Sequence, residues 1–388
     1  MTDLVNIFIS LLTVLSCMLL AHLVCKLKSH RYLERNTRLG CIDGLRGYLA
    51  IGVFIHHFAI TFHWKNGASW GRPPEDYFTH FGQSGVAIFF MITGFLFVRK
   101  ILDVRGKIDW RKFYINRAFR ILPLYIACLL MIVLIVLIQS NFLLQTSISQ
   151  LIVDISRWFL FIGGSINGYG DTKKIIASVD WTLKYEWLFY FSIPMLAIIL
   201  KSRINTMAVC SLVVLGSVFP YQLGTIIWDF TWKFSSFPFI LFMIGGLTAK
   251  LSMLKIEKNM DHPLVTIIAL LSLGVLVLVF DSSFGFFQSV LLAGFFVPIA
   301  LGNSLFGVLR AKMSIFLGEI SYSIYLAHGM VLFFLFTMSF PNFVAAIAEN
   351  NYMFFMPLVG VLVILFSWFT FSYVEKPMMM VGRNVANK

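Results

Sequence analysis

The chain is written as a series of long apolar runs, and each run is close to the length a helix needs to cross a bilayer. A spanning helix takes about 20 mostly apolar residues. Eleven segments meet that measure: 4–26, 44–62, 83–102, 118–139, 181–200, 205–222, 234–251, 263–281, 285–303, 315–337 and 352–374. Lipid offers a backbone no hydrogen bonds, so runs of this length must satisfy their own peptide groups as helices. The expected fold is an all-α polytopic membrane protein. Composition agrees, with 59% of the residues hydrophobic and 13% charged, and it excludes disordered, collagenous and disulfide-scaffold chains. Pro238 and Pro298 fall inside the seventh and ninth segments and predict kinks there. The first segment is long and lacks a small-residue cleavage site, so it reads as a retained helix rather than a signal peptide.

A formal charge of +13 would point to nucleic acid in a soluble protein. Here the basic residues cluster at alternate loops: 26–38, 99–120, Lys201 and Arg203, Lys250 to Lys258, Arg310 and Lys312, and Lys376 to Lys388. Cytoplasmic loops carry such an excess. The pattern predicts an outside N-terminus and a cytoplasmic C-terminus, and an odd number of helices, which puts the termini on opposite sides, agrees with it. The charge is then topology, and no nucleic-acid partner is expected; the partners in contact with most of the surface are membrane lipids. Cys17, Cys25, Cys41, Cys128 and Cys210 show no paired or metal-ligand spacing and read as packing thiols. No metal site is expected. Two connections stand out. The stretch 103–117 is basic and aromatic, and the long 140–180 loop holds a semi-apolar piece, 151–162, too short to span.

Ionisable groups inside spans are expensive and mark function by default. In the second segment Arg46 and His57 are eleven residues apart. That is about 20° from three whole turns and about 16 Å along the axis, so both share one face, with Arg46 at the cytoplasmic end and His57 deep in the bilayer. His56 points away. The third segment opens with Gly82, Ser84 and Gly85; the small residues suit close helix contact, and the Ser84 hydroxyl is available to line a pocket. Arg117 and Arg120 share a face at the cytoplasmic boundary, as membrane anchors or as a fork for phosphates. Glu186 lies one turn into the fifth segment among Trp181, Tyr185 and Trp187. A carboxylate among aromatic rings suits sugar binding or the orientation of a histidine. His328 is a further histidine inside the tenth segment.

Taken in order, several strings resemble the membrane-bound acyltransferase-3 family, which includes bacterial O-acetyltransferases of surface polysaccharides. They are Asp-Gly-Leu-Arg-Gly at 43–47, the Arg46–His57 spacing, the glycine and phenylalanine segment 85–96, and Arg-x-x-Arg at Arg117 and Arg120. Trp-Thr-Leu-x-x-Glu at 181–186, Ser-Tyr-Ser-Ile-Tyr-Leu-x-His at 321–328 and Glu-Lys-Pro at 375–377 complete the set. The resemblance implies an acyltransferase domain over 38–388, with 1–37 as an added helix and basic loop. Ala87 stands where the family usually carries an acid, and the esterase-like domain of some members is lacking, which suggests a stand-alone enzyme. It further implies a multi-pass protein of the bacterial inner membrane that moves an acetyl group from cytoplasmic acetyl-CoA to a hydroxyl of an outward-facing polysaccharide, such as lipopolysaccharide O-antigen, or of a lipid-linked sugar. His57 then acts as general base, since an imidazole titrates near neutrality. An acyl-histidine intermediate is the alternative to direct transfer. Glu186 orients His57 or holds the acceptor. Arg46, Arg117 and Arg120 bind CoA, and Trp181, Tyr185, Trp187, His328 and Ser84 line the acceptor. Proton-coupled transport and glycan flipping or polymerisation are the rival classes. Inverted repeats, common in transporters, are not visible in this sequence.

Overall fold

A computed structural model describes residues 2–27, 38–201, 237–254 and 260–388. The described chain is helical, with a single isolated bridge between Ile166 and Tyr169 and no strand among the described residues. The long helices are α1 (Thr2–Leu27), α2 (Arg38–Lys65), α3 (Asp76–Asp103) and α4 (Trp110–Gln139). A short α5 (Ile148–Phe159) precedes α6 (Trp181–Lys201), and α7 (Phe237–Ser252), α8 (Pro263–Val279) and α9 (Phe286–Ala300) follow. The chain closes with α10 (Lys312–Glu319), α11 (Ser321–Phe333), α12 (Met356–Thr370) and α13 (Lys376–Ala386). Seven helical stretches are long and apolar enough to cross a membrane, and α7, α8 and α9 are shorter apolar helices. The chain is thus a multi-pass helical membrane protein. The expected segment 205–222 and Cys210 lie outside the described residues.

Surface and interior are distributed as lipid requires. On α1, Leu4, Phe8, Leu11, Leu15 and Leu19 are exposed, while Asn6, Ser10, Thr13 and Cys17 are buried. A helix in lipid needs no apolar interior stripe, and small side chains let it approach α12 closely, where Thr13 and Cys17 meet Gly360. Cys41 and Cys128 are likewise buried free thiols.

Several boundaries differ from the sequence expectation. Helices α2, α3 and α4 begin six to eight residues earlier than the apolar runs. Polar residues lower hydropathy without breaking a helix, and Asp109 caps α4 by accepting from the Lys112 amide at 2.9 Å. The basic stretch 103–117 is therefore largely the first turns of α4. Pro238 is the second residue of α7, where a missing N–H is harmless, so it starts a helix instead of kinking one. Pro194 does interrupt α6. It leaves the Tyr190 carbonyl without its helical donor, and that oxygen accepts the Tyr114 hydroxyl of α4 at 3.1 Å. The segment 315–337 divides at Ile320 into α10 and α11. There Gly318 lies on the Asp43 carbonyl of α2 and Gly47 lies against Leu317. This backbone contact sets the position of Arg46. We call the end of the bundle carrying Lys100, Lys112 and Arg383 the basic end, and the other the far end.

The long loop before α6 folds back into the bundle. Its 3₁₀ turn, Thr172–Ile176, packs on α11, with Ile175, Ile176 and Ala177 fully buried. Only glycine fits at position 329, because a Cβ there would land on the Ile176–Ala177 peptide. Ala177 and Ser178 hold φ of 53° and 58°, a left-handed pair that costs energy for side chains with a Cβ.

Candidate active site

Two chambers and a histidine pair lie in line along the bundle. The first chamber opens at the basic end, with a volume of about 390 Å³, and is lined by Lys100, Lys112, Phe113, Asn116, Arg117, Arg120, Met379, Arg383 and Asn387. Five of these side chains are cationic and none is acidic. Amphipathic α13 packs against the start of α4 and supplies Arg383. The Lys112 ammonium donates to Asn387 at 2.7 Å. Lys100 lies over the Phe113 ring and Arg117 over Phe97, which orients both cations without neutralising them.

Arg120 forms the wall between this vestibule and an inner cavity. Its guanidinium pairs with Glu375, a carboxylate only 1% exposed that also accepts the Ser323 hydroxyl at 2.8 Å. Glu375 ends a π-turn, Phe371–Glu375, an irregularity common at functional sites. The inner cavity is about 60 Å³, room for a few waters, and is bounded by Arg46, Phe89, Phe90, Thr182, Glu186, Ser321, Tyr322 and Tyr325. Arg46 lies in the field of Arg120, Asp43, Glu186 and Glu375, so the two guanidiniums and their carboxylates offset one another in the interior. Glu186 accepts the Tyr190 hydroxyl at 2.9 Å.

Beyond Tyr325, whose ring centre is 6.5 Å from that of His328, lies the histidine pair. His57 Nδ1 is 2.9 Å from the Val53 carbonyl and 3.1 Å from His328 Nε2. His328 Nδ1 is 3.0 Å from the Ile324 carbonyl. A carbonyl oxygen only accepts, so both Nδ1 atoms carry a proton. The single His57 Nδ1–H is then shared between the Val53 carbonyl and His328 Nε2, and His57 Nε2 carries its lone pair. The His57 ring is half-buried and stacks on Trp70, with centroids 6.2 Å apart and planes 17° from parallel. Trp70 meets Trp64 edge-on at 5.4 Å, and Lys65 and Lys174 both lie over Trp64. His56 Nδ1 meets the Phe78 carbonyl at 2.9 Å, and its ring lies edge-on to that of His57 with centroids 5.0 Å apart.

The structure brings together Arg46 with Glu186, Arg117 with Arg120, and His57 with His328. Glu186 and His57 are not joined by a hydrogen bond among the described residues. The Ser84 hydroxyl bonds Ser283 at 2.8 Å, and Ser283 bonds His80, so it ties α3 to the 280–284 loop. Tyr185 is 2% exposed and is enclosed by Phe90, Trp181 and Phe239. Trp187 packs on Tyr190 and Phe191 with its indole N–H buried and unbonded. Asp180, at the mouth of α6, is pushed up to about 6 by burial, against the pull of Lys173 3.6 Å away. Sequence reasoning did not single out Trp64, Trp70, Lys100, Lys112 or Arg383. Trp64 and Trp70 follow His57 within 13 positions, a proximity that could have drawn attention to them.

The acyltransferase-3 model, described as an acyltransferase domain, matches residues 39–372. The chain therefore belongs to that family. Among curated proteins it is 30% identical over 204 residues to the Bacillus subtilis protein named "Putative peptidoglycan O-acetyltransferase YrhL", covering 50% of this chain and 28% of that one. It is 25% identical over 204 residues to O-acetyltransferase OatA of Staphylococcus aureus, covering 49% of this chain and 30% of that one. The chain thus spans under a third of the length of these relatives. No solved structure matches it.

Proposed function

We propose that this protein is an integral-membrane O-acetyltransferase, with a donor site at the basic end facing the cytoplasm of a bacterial inner membrane. Acetyl-CoA enters with its phosphates on Lys100, Lys112, Arg117, Arg120 and Arg383, a polycationic chamber of ligand size. Its thioester end points through the Arg120 wall towards Arg46. The acceptor is a sugar of an outward-facing polysaccharide or lipid-linked unit, stacked on Trp64 and Trp70 at the far end. Trp181, Tyr185 and Trp187 form the packed wall of the same passage, and Glu186 offsets the charge of Arg46.

The transfer is direct. The acceptor hydroxyl attacks the thioester carbonyl while His57 Nε2 takes its proton. The new C–O bond forms, the C–S bond breaks, and the departing thiolate recovers the proton from His57 Nε2. His328 acts on His57 as a positioning residue, fixing the tautomer that leaves Nε2 basic. The contacts of both Nδ1 atoms with backbone carbonyls, and of His57 with His328, are the observation that carries the proposal. The test is transfer of label from radiolabelled acetyl-CoA to the glycan or lipid-linked sugar fraction of membranes containing the protein. His57→Ala is expected to insert at the wild-type level and to lose at least about a hundredfold in transfer. Wild-type transfer by that variant would remove the role.

A further inference from the structure

A second cluster of ligating side chains lies at the far end, outside the passage. His63 Nε2 of α2 is 3.1 Å from Glu75 Oε2, the residue just before α3. Glu349, which starts the short helix Glu349–Met353 ahead of α12, completes a trio whose ligand atoms all lie within 4.8 Å of one another. The carboxylate of Glu349 lies against that of Glu75, an arrangement relieved by a proton shared between them or by a cation. His63 brings at most one for two acids. Arg72, the nearest arginine in sequence, is engaged by Asp76 and Asp281. A buried amide stands behind the trio. Asn6 of α1 is 1% exposed, its N–H group donates to Tyr77 at 3.1 Å and reaches Glu349, and its Oδ1 is buried with no partner.

We propose that His63, Glu75 and Glu349 bind one divalent transition-metal cation. One imidazole nitrogen with carboxylate oxygens suits Zn²⁺ or Mn²⁺ better than the all-oxygen ions. The cation ties the end of α2, the start of α3 and the approach to α12 into one knot, and the Asn6 amide of α1 holds Glu349 from behind. His63 is six residues beyond His57, about 9 Å along α2, so the knot fixes the far end of the helix that carries the base. It is independent of the chemistry proposed above.

The probe is Mn²⁺ alone, titrated into metal-free, tag-free, full-length protein in detergent and followed by loss of the free-ion paramagnetic resonance signal. One equivalent is expected to bind saturably, to be displaced by Zn²⁺, and to raise the melting temperature. Glu349→Gln and Glu75→Gln should each weaken binding at least tenfold while melting cooperatively. If either fails to fold, His63→Gln serves as the same test. Asp76→Asn, a neighbouring carboxylate outside the trio, should leave binding unchanged. Absence of saturable binding, or one equivalent bound with unchanged affinity by the trio variants, overturns the site and leaves a proton-sharing cluster.

Discussion

At the scale of single residues, the account depends on which nitrogen of each histidine carries a proton. Two backbone carbonyls decide it, and each belongs to the residue four positions before its histidine on the same helix. That is a local bond that any helical histidine can make. What the local bonds do not supply is the alignment of His57 with His328, 271 positions away. His328→Ala should lower kcat about ten- to hundredfold, the worth of one to two buried hydrogen bonds, and leave the KM for acetyl-CoA unmoved, because the vestibule lies at the other end. A KM that rises with an unchanged kcat would move His328 from positioning to donor binding. The reach of sequence reasoning is visible in the same residues. The shared face of Arg46 and His57 follows from helical arithmetic, and α2 runs unbroken through both from Arg38 to Lys65. The pairing of the two histidines does not follow, because nothing in spacing reports which of several helices will be neighbours. Glu375 is similar. Its sequence reads as a helix end, whereas a π-turn carries it inward to Arg120.

Elements explain how the polar groups come to face one another inside the bundle. The Gly47–Gly318 contact lets the α2 and α10 backbones touch, and the break at Ile320 sends α11 past the His57 face. The folded-back loop closes the other side, seated on Gly329. Its position is not readable from sequence, since a 3₁₀ turn of polar and apolar residues has no period to detect and its anchor is a missing Cβ on a distant helix. Spans were legible for the opposite reason: lipid imposes length and apolarity directly on composition. Gly329→Ala tests the element. The added methyl meets backbone, which cannot swing aside, so the variant should melt earlier by an amount corresponding to about 1–3 kcal/mol of overpacking. It should also lose transfer as the Thr172–Ile176 turn is displaced from His328. Wild-type melting and transfer would show that the loop does not seat there.

At the scale of the molecule, the five vestibule cations at the basic end and the Trp64–Trp70 pair beside His57 define a direction through the bilayer. Basic residues at alternate loops predict which end faces the cytoplasm, but not that five of them converge on one chamber. Convergence arises because α13 folds back on the start of α4 and brings Arg383 to Lys112 and Arg117. Arg383→Gln should raise the KM for acetyl-CoA about five- to tenfold, as expected for one charge-assisted contact. It should also make binding less sensitive to salt and leave kcat nearly intact. An unchanged KM would place the CoA phosphates elsewhere.

The central claim is that one histidine serves a donor and an acceptor held on opposite sides of a membrane. Sealed inverted membrane vesicles test it, with radiolabelled acetyl-CoA, which does not cross lipid, supplied only at the cytoplasmic face and the acceptor glycan enclosed. The account predicts label on the enclosed glycan with the wild-type protein and none with His57→Ala. Label that persists in His57→Ala vesicles, or that appears only when acetyl-CoA is placed on the glycan's own side, would contradict it.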